Sequence, residues 1–243
     1  GQLPSFDVDW AEVNVGTRTK TVTIPKNSPE TMLDLGCGTG FFTRQLETLS
    51  GSPVIGIDLA YGMVSYARKQ HPDHDFVVGD MDYLPLRQGS CQVIFSSLAV
   101  QWSENLEKVL ADCYQALAPG GTLLFSTLLE GTLEELASSW KAADSYRHVN
   151  QFMTLTSLQG IISGSMFGDQ LVKTEDVVLQ YQEVRELTNE LKKLGAHNVN
   201  RDRPQSMTGK AAIRKFKSAY ESFRRNGQLP ATYCVAYVYL KKS

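Results

Sequence analysis

The chain has 243 residues and a mass of 27.0 kDa, with 42% hydrophobic residues, which builds one large or two small globular domains and excludes disorder as the default. Lys+Arg total 24 against 26 for Asp+Glu, and the resulting net charge of -2 and pI near 6.1 exclude a polycation made for nucleic acid or an anionic membrane. No apolar run approaches the roughly 18 residues of a membrane span, no signal-peptide pattern opens the chain, and Cys37, Cys91, Cys113 and Cys234 form no C-x-x-C pair, so the expectation is a soluble protein of a reducing cytoplasm without a metal site.

Residues 1–30 carry no assignable role. From there, short β-branched or apolar runs at 31–35, 53–57, 75–78, 92–96 and 122–126 read as strands. Apolar residues at three- and four-residue spacing predict helices over 41–49, 61–70 and 106–117, so strand and helix alternate. That order predicts an α/β fold, a doubly wound, Rossmann-like sheet of seven strands. Two further strands are expected at 176–181 and 232–240, the second apolar on both faces and therefore buried on both sides. Between them lies a segment that the sheet does not need, predicting helices over 183–194 and 209–225. The organisation is thus an N-terminal segment 1–30, a core 31–182, a helical lid 183–228 and a final core strand 229–243.

The first strand runs into Asp34-Leu35-Gly36-Cys37-Gly38-Thr39-Gly40 and then a helix. Glycines let the backbone turn tightly and approach a ligand, and the helix N-terminus offers free N–H groups. A G-x-G-x-x-G dinucleotide fingerprint needs glycine at position 41, which is Phe41; the spacing is G-x-G-x-G with an acid two residues ahead. The second strand ends in Asp58, 22 positions after Gly36, where a carboxylate can accept both hydroxyls of a ribose. This arrangement resembles the class I S-adenosylmethionine-dependent methyltransferases. The resemblance implies apolar contact to the adenine from Leu59 and Met63, a carboxylate for its amino group at Asp80 with Met81 beside it, and a fourth strand end, Ser96-Ser97-Leu98, facing the methionine part. The cofactor set is then Asp34, Gly36, Cys37, Gly38, Gly40, Asp58, Leu59, Met63, Asp80, Met81, Ser96 and Ser97.

Further motifs narrow the likeness. Ser97-Leu98-Ala99-Val100-Gln101-Trp102, Leu117-Ala118-Pro119-Gly120-Gly121, Gly131-Thr132-Leu133 with Trp140, and Leu191-Lys192-Lys193-Leu194-Gly195-Ala196 resemble the malonyl-(acyl-carrier protein) O-methyltransferase family of biotin synthesis, over roughly residues 31–243. That family methylates the free carboxylate of a malonyl thioester on a carrier protein. A carboxylate is already a nucleophile at pH 7, so no general base is required, and positioning and desolvation suffice. The site does require a clamp for the malonyl oxygens. Following the family's pattern, Arg147, His148 and Asn150 are the catalytic candidates, against the plainer readings of a solvated arginine and a packed histidine. The family's N-terminal helical stretch with its tyrosine has no match in 1–30, where Phe6 and Trp10 are the aromatic residues.

Residues 192–225 hold ten basic and two acidic side chains, a local charge of +8 against -10 elsewhere. Carrier proteins are acidic, so Lys192, Lys193, Arg201, Arg203, Lys210, Arg214, Lys215 and Lys217 are candidates for steering and docking one bearing a malonyl thioester. Nucleic acid and membrane are not expected partners, because the remaining negative charge repels them. Two alternatives stand beside this reading. A methyltransferase for a small diffusible acid or quinone precursor has no use for the basic insertion, and a non-catalytic adenosyl- or RNA-binding module has no use for a strand end shaped around the methyl group.

Overall fold

The computed structural model describes residues 10–15, 18–23, 31–84, 86–146, 148–193 and 209–243. In chain order the elements are β1 (Trp10–Val15), β2 (Arg18–Thr23), β3 (Met32–Leu35), α1 (Phe41–Ser50), β4 (Val54–Asp58), α2 (Tyr61–Gln70), β5 (Asp75–Val78), β6 (Cys91–Ser97), α3 (Leu106–Ala116), β7 (Leu117–Leu128), α4 (Glu134–Lys141), α5 (Leu155–Ser163), β8 (Asp169–Tyr181), α6 (Val184–Lys193), α7 (Lys210–Glu221) and β9 (Leu229–Lys241). Short 3-10 turns at Met81–Tyr83 and Val100–Trp102 follow β5 and β6. Among the described residues no helix is long and apolar enough to cross a membrane.

Seven strands form one sheet in the order β5-β4-β3-β6-β7-β9-β8. The pairs β3–β4, β4–β5, β3–β6 and β6–β7 are parallel. The chain winds from β3 outward through β4 to β5 and then returns to β6 on the other side of β3. The switch point therefore lies between β3 and β6, where ligands bind in open α/β sheets. Strand β9 runs antiparallel to β7: Lys242 N donates to Gly121 O, and Leu129 N donates to Cys234 O.

Local chemistry explains most boundaries. Helix α1 begins after Gly40 (φ 80°) and ends at Gly51 (φ 68°), whose N–H donates to Glu47 O. Helix α3 is capped by Asn105 Oδ1, which accepts from Lys108 N at 3.0 Å, and it buries Leu106, Val109, Leu110 and Cys113 at helical spacing. No residue of β9 is exposed, as a strand apolar on both faces requires. Strand β7 starts five residues earlier than expected. Gly120 and Gly121 are held by Lys242, a pairing that local pattern does not reveal. Strand β8 likewise starts seven residues early, because a largely exposed edge strand has no apolar alternation to read. The hairpin β1–β2, in register from Trp10↔Thr23 to Val15↔Arg18, was not expected, although Val13, Val15, Thr19, Thr21 and Thr23 carry its period-two signal.

The chain divides into two compact units. The first takes the chain up to Thr127 with Gln159–Val172 and Tyr237–Ser243. Its core includes Met32, Leu46, Val54, Val93, Phe95 and Leu124. The second takes Leu128–Leu158 and Lys173–Ala236 and buries its own cluster, with Leu136, Leu187, Phe216, Tyr220 and Leu229 at its centre. It thus enlists α4 as well as the two helices of the 183–228 segment, since Trp140 of α4 packs on that cluster.

Candidate cofactor and substrate site

In the first unit, β3 ends at Leu35 and the chain turns through the five residues Gly36 to Gly40. Gly36 N and Cys37 N both donate to Ile57 O, at 2.7 and 3.0 Å, fastening the turn to β4. Gly36 has φ +75°, and a Cβ there would collide with Ala99 Cβ, so only glycine lets the loop meet the turn after β6. A Cβ on Gly38 (φ +55°) would meet nothing within 4 Å, which leaves that face of the loop open. Gly38 N donates to Asp58 Oδ2 at 2.8 Å, and Ala60 N donates to Asp58 Oδ1 at 2.8 Å. Each carboxylate oxygen keeps a second lone pair, so Asp58 can brace the loop and still accept two hydroxyls.

The neighbouring groups have fitting chemistry. Leu59 is 67% exposed and Met63 38%, apolar surface suited to the face of a base. Gly79 N donates to Asp58 O, bringing the end of β5 alongside. Asp80 Oδ1 accepts from Asp82 N at 2.9 Å and caps the turn at Met81, while the Met81 methyl lies 3.7 Å from where a Gly36 Cβ would stand. Asp58, Leu59, Asp80, Met81, Gly36 and Gly38 are therefore brought to one edge, and they fit an adenosyl group. Sequence reasoning missed the brace beneath: Asp82 accepts from Ser103 Oγ and Glu104 N, and Lys108 Nζ donates to Asp82 O and Asp112. No periodicity marks such a cross-loop network.

Three sequence candidates, Ser96, Cys37 and Asp34, point inward. Ser96 is fully buried and its hydroxyl donates to Leu35 O at 2.7 Å, tying β6 to β3, so its part is in the sheet. Ser97 is half-buried beside it. The Cys37 thiol packs with Val64, Ala67 and Phe76, and burial pushes its pKa up, so this residue offers its backbone alone. Asp34 is 1% exposed and accepts from Thr43 Oγ1 at 2.6 Å, which anchors α1 to β3. Burial raises its pKa from 3.8 to about 7, with the Asp58 charge adding to the effect. Gly40 supplies the left-handed step into α1.

In the second unit, His148 lies flat on Trp140, ring centroids 3.8 Å apart, and Trp140 in turn lies flat on Phe216 at 4.1 Å. His148 Nε2 contacts both Asp144 carboxylate oxygens, at 2.9 and 3.0 Å, with 10% of its side chain exposed. The imidazole is thus engaged on one face and at one nitrogen. Asn150 is half-buried, and Arg147 lies outside the described residues. Along α7, Phe216 and Tyr220 face inward while Arg214, Lys215 and Lys217 are exposed. Lys192 is exposed at the end of α6; Arg201 and Arg203, and the side chains of Lys193 and Lys210, lie outside the described residues.

Comparison with known proteins agrees with this geometry. The family model described as "Methyltransferase domain" matches residues 33–125, the stretch from β3 to β7 that carries every segment of the loop edge. The chain is 42% identical over 212 residues to the biotin biosynthesis bifunctional protein BioHC of Cellvibrio japonicus, covering 87% of this chain but 42% of that protein. To the malonyl-(acyl-carrier protein) O-methyltransferase of Serratia marcescens it is 38% identical over 208 residues, covering 86% of this chain and 79% of that one. Among solved structures, the YcgJ protein of Bacillus subtilis superposes with a TM-score of 0.62 at 16% identity, over 89% of this chain and 93% of that one.

Proposed function

Because this chain belongs to the malonyl-(acyl-carrier protein) O-methyltransferase family, we propose that it methylates the free carboxylate of a malonyl thioester carried on an acidic acyl-carrier protein, the ester that biotin synthesis elongates. The observation that carries the donor half is Asp58, bonded to Gly38 N while retaining acceptor capacity for a ribose. The observation behind the acceptor half is the 38% identity to an enzyme of that name over 79% of its length.

The cofactor is S-adenosylmethionine, and when bound it supplies an electrophilic methyl on a sulfonium sulfur. The malonyl carboxylate is ionised at pH 7, so it would accept that methyl without a general base, and no side chain of this protein has to move a proton. The protein's tasks are to hold Asp58 and the glycine loop in place and to grip the carboxylate. Arg147 and Asn150 offer the guanidinium and amide for that grip, and His148, stacked on Trp140 and bonded to Asp144, holds the segment between them. The exposed Arg214, Lys215 and Lys217 of α7 present like charge outward and suit an acidic carrier.

The test is methyl transfer from labelled cofactor to malonyl-carrier protein, free malonate and RNA in parallel. Label on the carrier protein alone, released as methanol by mild base, is the expected result. Label on free malonate at an equal rate replaces this reading with a small-acid enzyme, and label on RNA overturns it.

A further inference from the structure

Behind the turn after β5 lies a polar network that no step of the proposed reaction uses. Asp82, in the middle of that turn, is held from α3 and the residues leading into it. Its carboxylate accepts from Ser103 Oγ and from Glu104 N, 21 and 22 residues on. Its carbonyl accepts from Lys108 Nζ, in the first turn of α3. Each of these donors is itself oriented. Ser103 Oγ also accepts from Asn105 N at 3.0 Å, and Lys108 Nζ donates to Asp112 Oδ2 at 2.6 Å while standing 5.1 Å from the centroid of the Tyr83 ring. Partly exposed pairs such as Lys108–Asp112 add little stability, and ordering their side chains costs entropy, so stability alone does not account for the arrangement.

What the network fixes is the neighbouring acid. Asp82 N donates to Asp80 Oδ1 at 2.9 Å, which orients that carboxylate and leaves its Oδ2 without a donor among the described residues. Asp82 thus holds Asp80 by its backbone, while its own carboxylate and carbonyl are held by Ser103, Glu104 and Lys108. A hydrogen bond weakens steeply with misalignment, so an acceptor on a turn free to rock would tolerate a purine without reading its 6-position. We propose that Asp82 is a positioning residue for base recognition: it fixes the Asp80 carboxylate so that the site takes a 6-amino purine and rejects a 6-oxo one. A 6-oxo group would set oxygen against carboxylate and leave Asp80 unpaired. The proposal rests on the cofactor reading above.

Titration calorimetry with S-adenosylhomocysteine and S-inosylhomocysteine, which carries oxygen in place of the 6-amino group, tests it. Wild-type protein should prefer the adenosyl ligand by about tenfold, the scale of one charge-assisted hydrogen bond, and Asp82→Ala by about twofold. Added to Asp80→Ala, the same substitution should change the preference no further, because Asp82 acts through Asp80. A preference that stays about tenfold in Asp82→Ala, whether both ligands weaken equally or neither weakens, would reduce Asp82 to a support of the turn and overturn the proposal. So would a further fall in the Asp80→Ala background. If Asp82→Ala does not fold, Ser103→Ala, which removes a single hydroxyl, should lower the preference to about threefold, and an unchanged preference there overturns the proposal. Wild-type protein that bound both ligands equally would overturn it while leaving the cofactor reading standing on Asp58. Wild-type protein that bound neither would overturn both.

Discussion

In the first unit the groups at the glycine loop are fixed by short backbone hydrogen bonds: Gly36 and Cys37 on Ile57 O, Gly38 on Asp58, Gly79 on Asp58 O. In the second, the cations of α7 stand exposed, and what is fixed is the helix beneath them, through Phe216, Trp140 and His148. A small rigid ligand needs its partners placed within tenths of an ångström, so one missing atom is felt. A protein partner drawn by charge needs only net potential, which is the sum of several side chains and is screened by salt. The two units should therefore fail in different ways.

The largest effect is expected from Phe216→Ala. Phe216 is 3% exposed at the centre of the second core, and its loss should cost about 3 to 5 kcal/mol of stability in that unit. Calorimetric melting should show the drop, while affinity for S-adenosylhomocysteine in the folded variant stays within twofold. A parallel loss of cofactor affinity would break the comparison.

Asp58→Ala should weaken cofactor binding by about 1.5 to 3 kcal/mol, because it removes a charged acceptor and frees Gly38 N and Ala60 N. Titration calorimetry on the folded variant checks this, and an unchanged dissociation constant would remove Asp58 from the site.

Asp34→Asn sharpens the contrast through pH. With its folded pKa raised to about 7 from 3.8, Asp34 keeps its proton in the folded state over a range where the unfolded chain has lost it. Stability should therefore fall as pH rises from about 4 to about 7, and the penalty should be complete above that. The amide removes the penalty, so the variant should melt higher than wild type at pH 8, by about 2 to 4 °C for each kcal/mol recovered, and equally at pH 4. A gain at pH 4 as large as that at pH 8 would assign the effect to something other than charge burial.

The smallest effect is expected from reversing Arg214, Lys215 and Lys217 together to Glu. At low ionic strength the KM for malonyl-carrier protein should rise several-fold, and the difference from wild type should fade as salt shortens the Debye length from about 30 Å to about 8 Å. A malonyl thioester on a short pantetheine mimic should be used equally by both proteins. Loss of activity on both acceptors alike would mean that this face serves the fold instead of a partner.

Much of this molecule was legible before its structure. The alternation of strand and helix from β3 to β7, the glycine loop and Asp58 at the end of β4 follow from spacings of two, three or four residues and from glycine's access to positive φ, all of which act locally. The hairpin β1–β2 has an equally local signal in its alternating Val and Thr positions. What the sequence could not decide were the questions settled by partners far along the chain. Ser96 turns inward because Leu35 O, 61 residues away, takes its hydroxyl. The Trp140 ring on which His148 lies is itself backed by Phe216, far along the chain in α7. Strand β7 is twelve residues long because Lys242 pairs with its opening glycines. A residue's type and period state what it can bond to, and only the packed chain decides which of its possible partners arrives first.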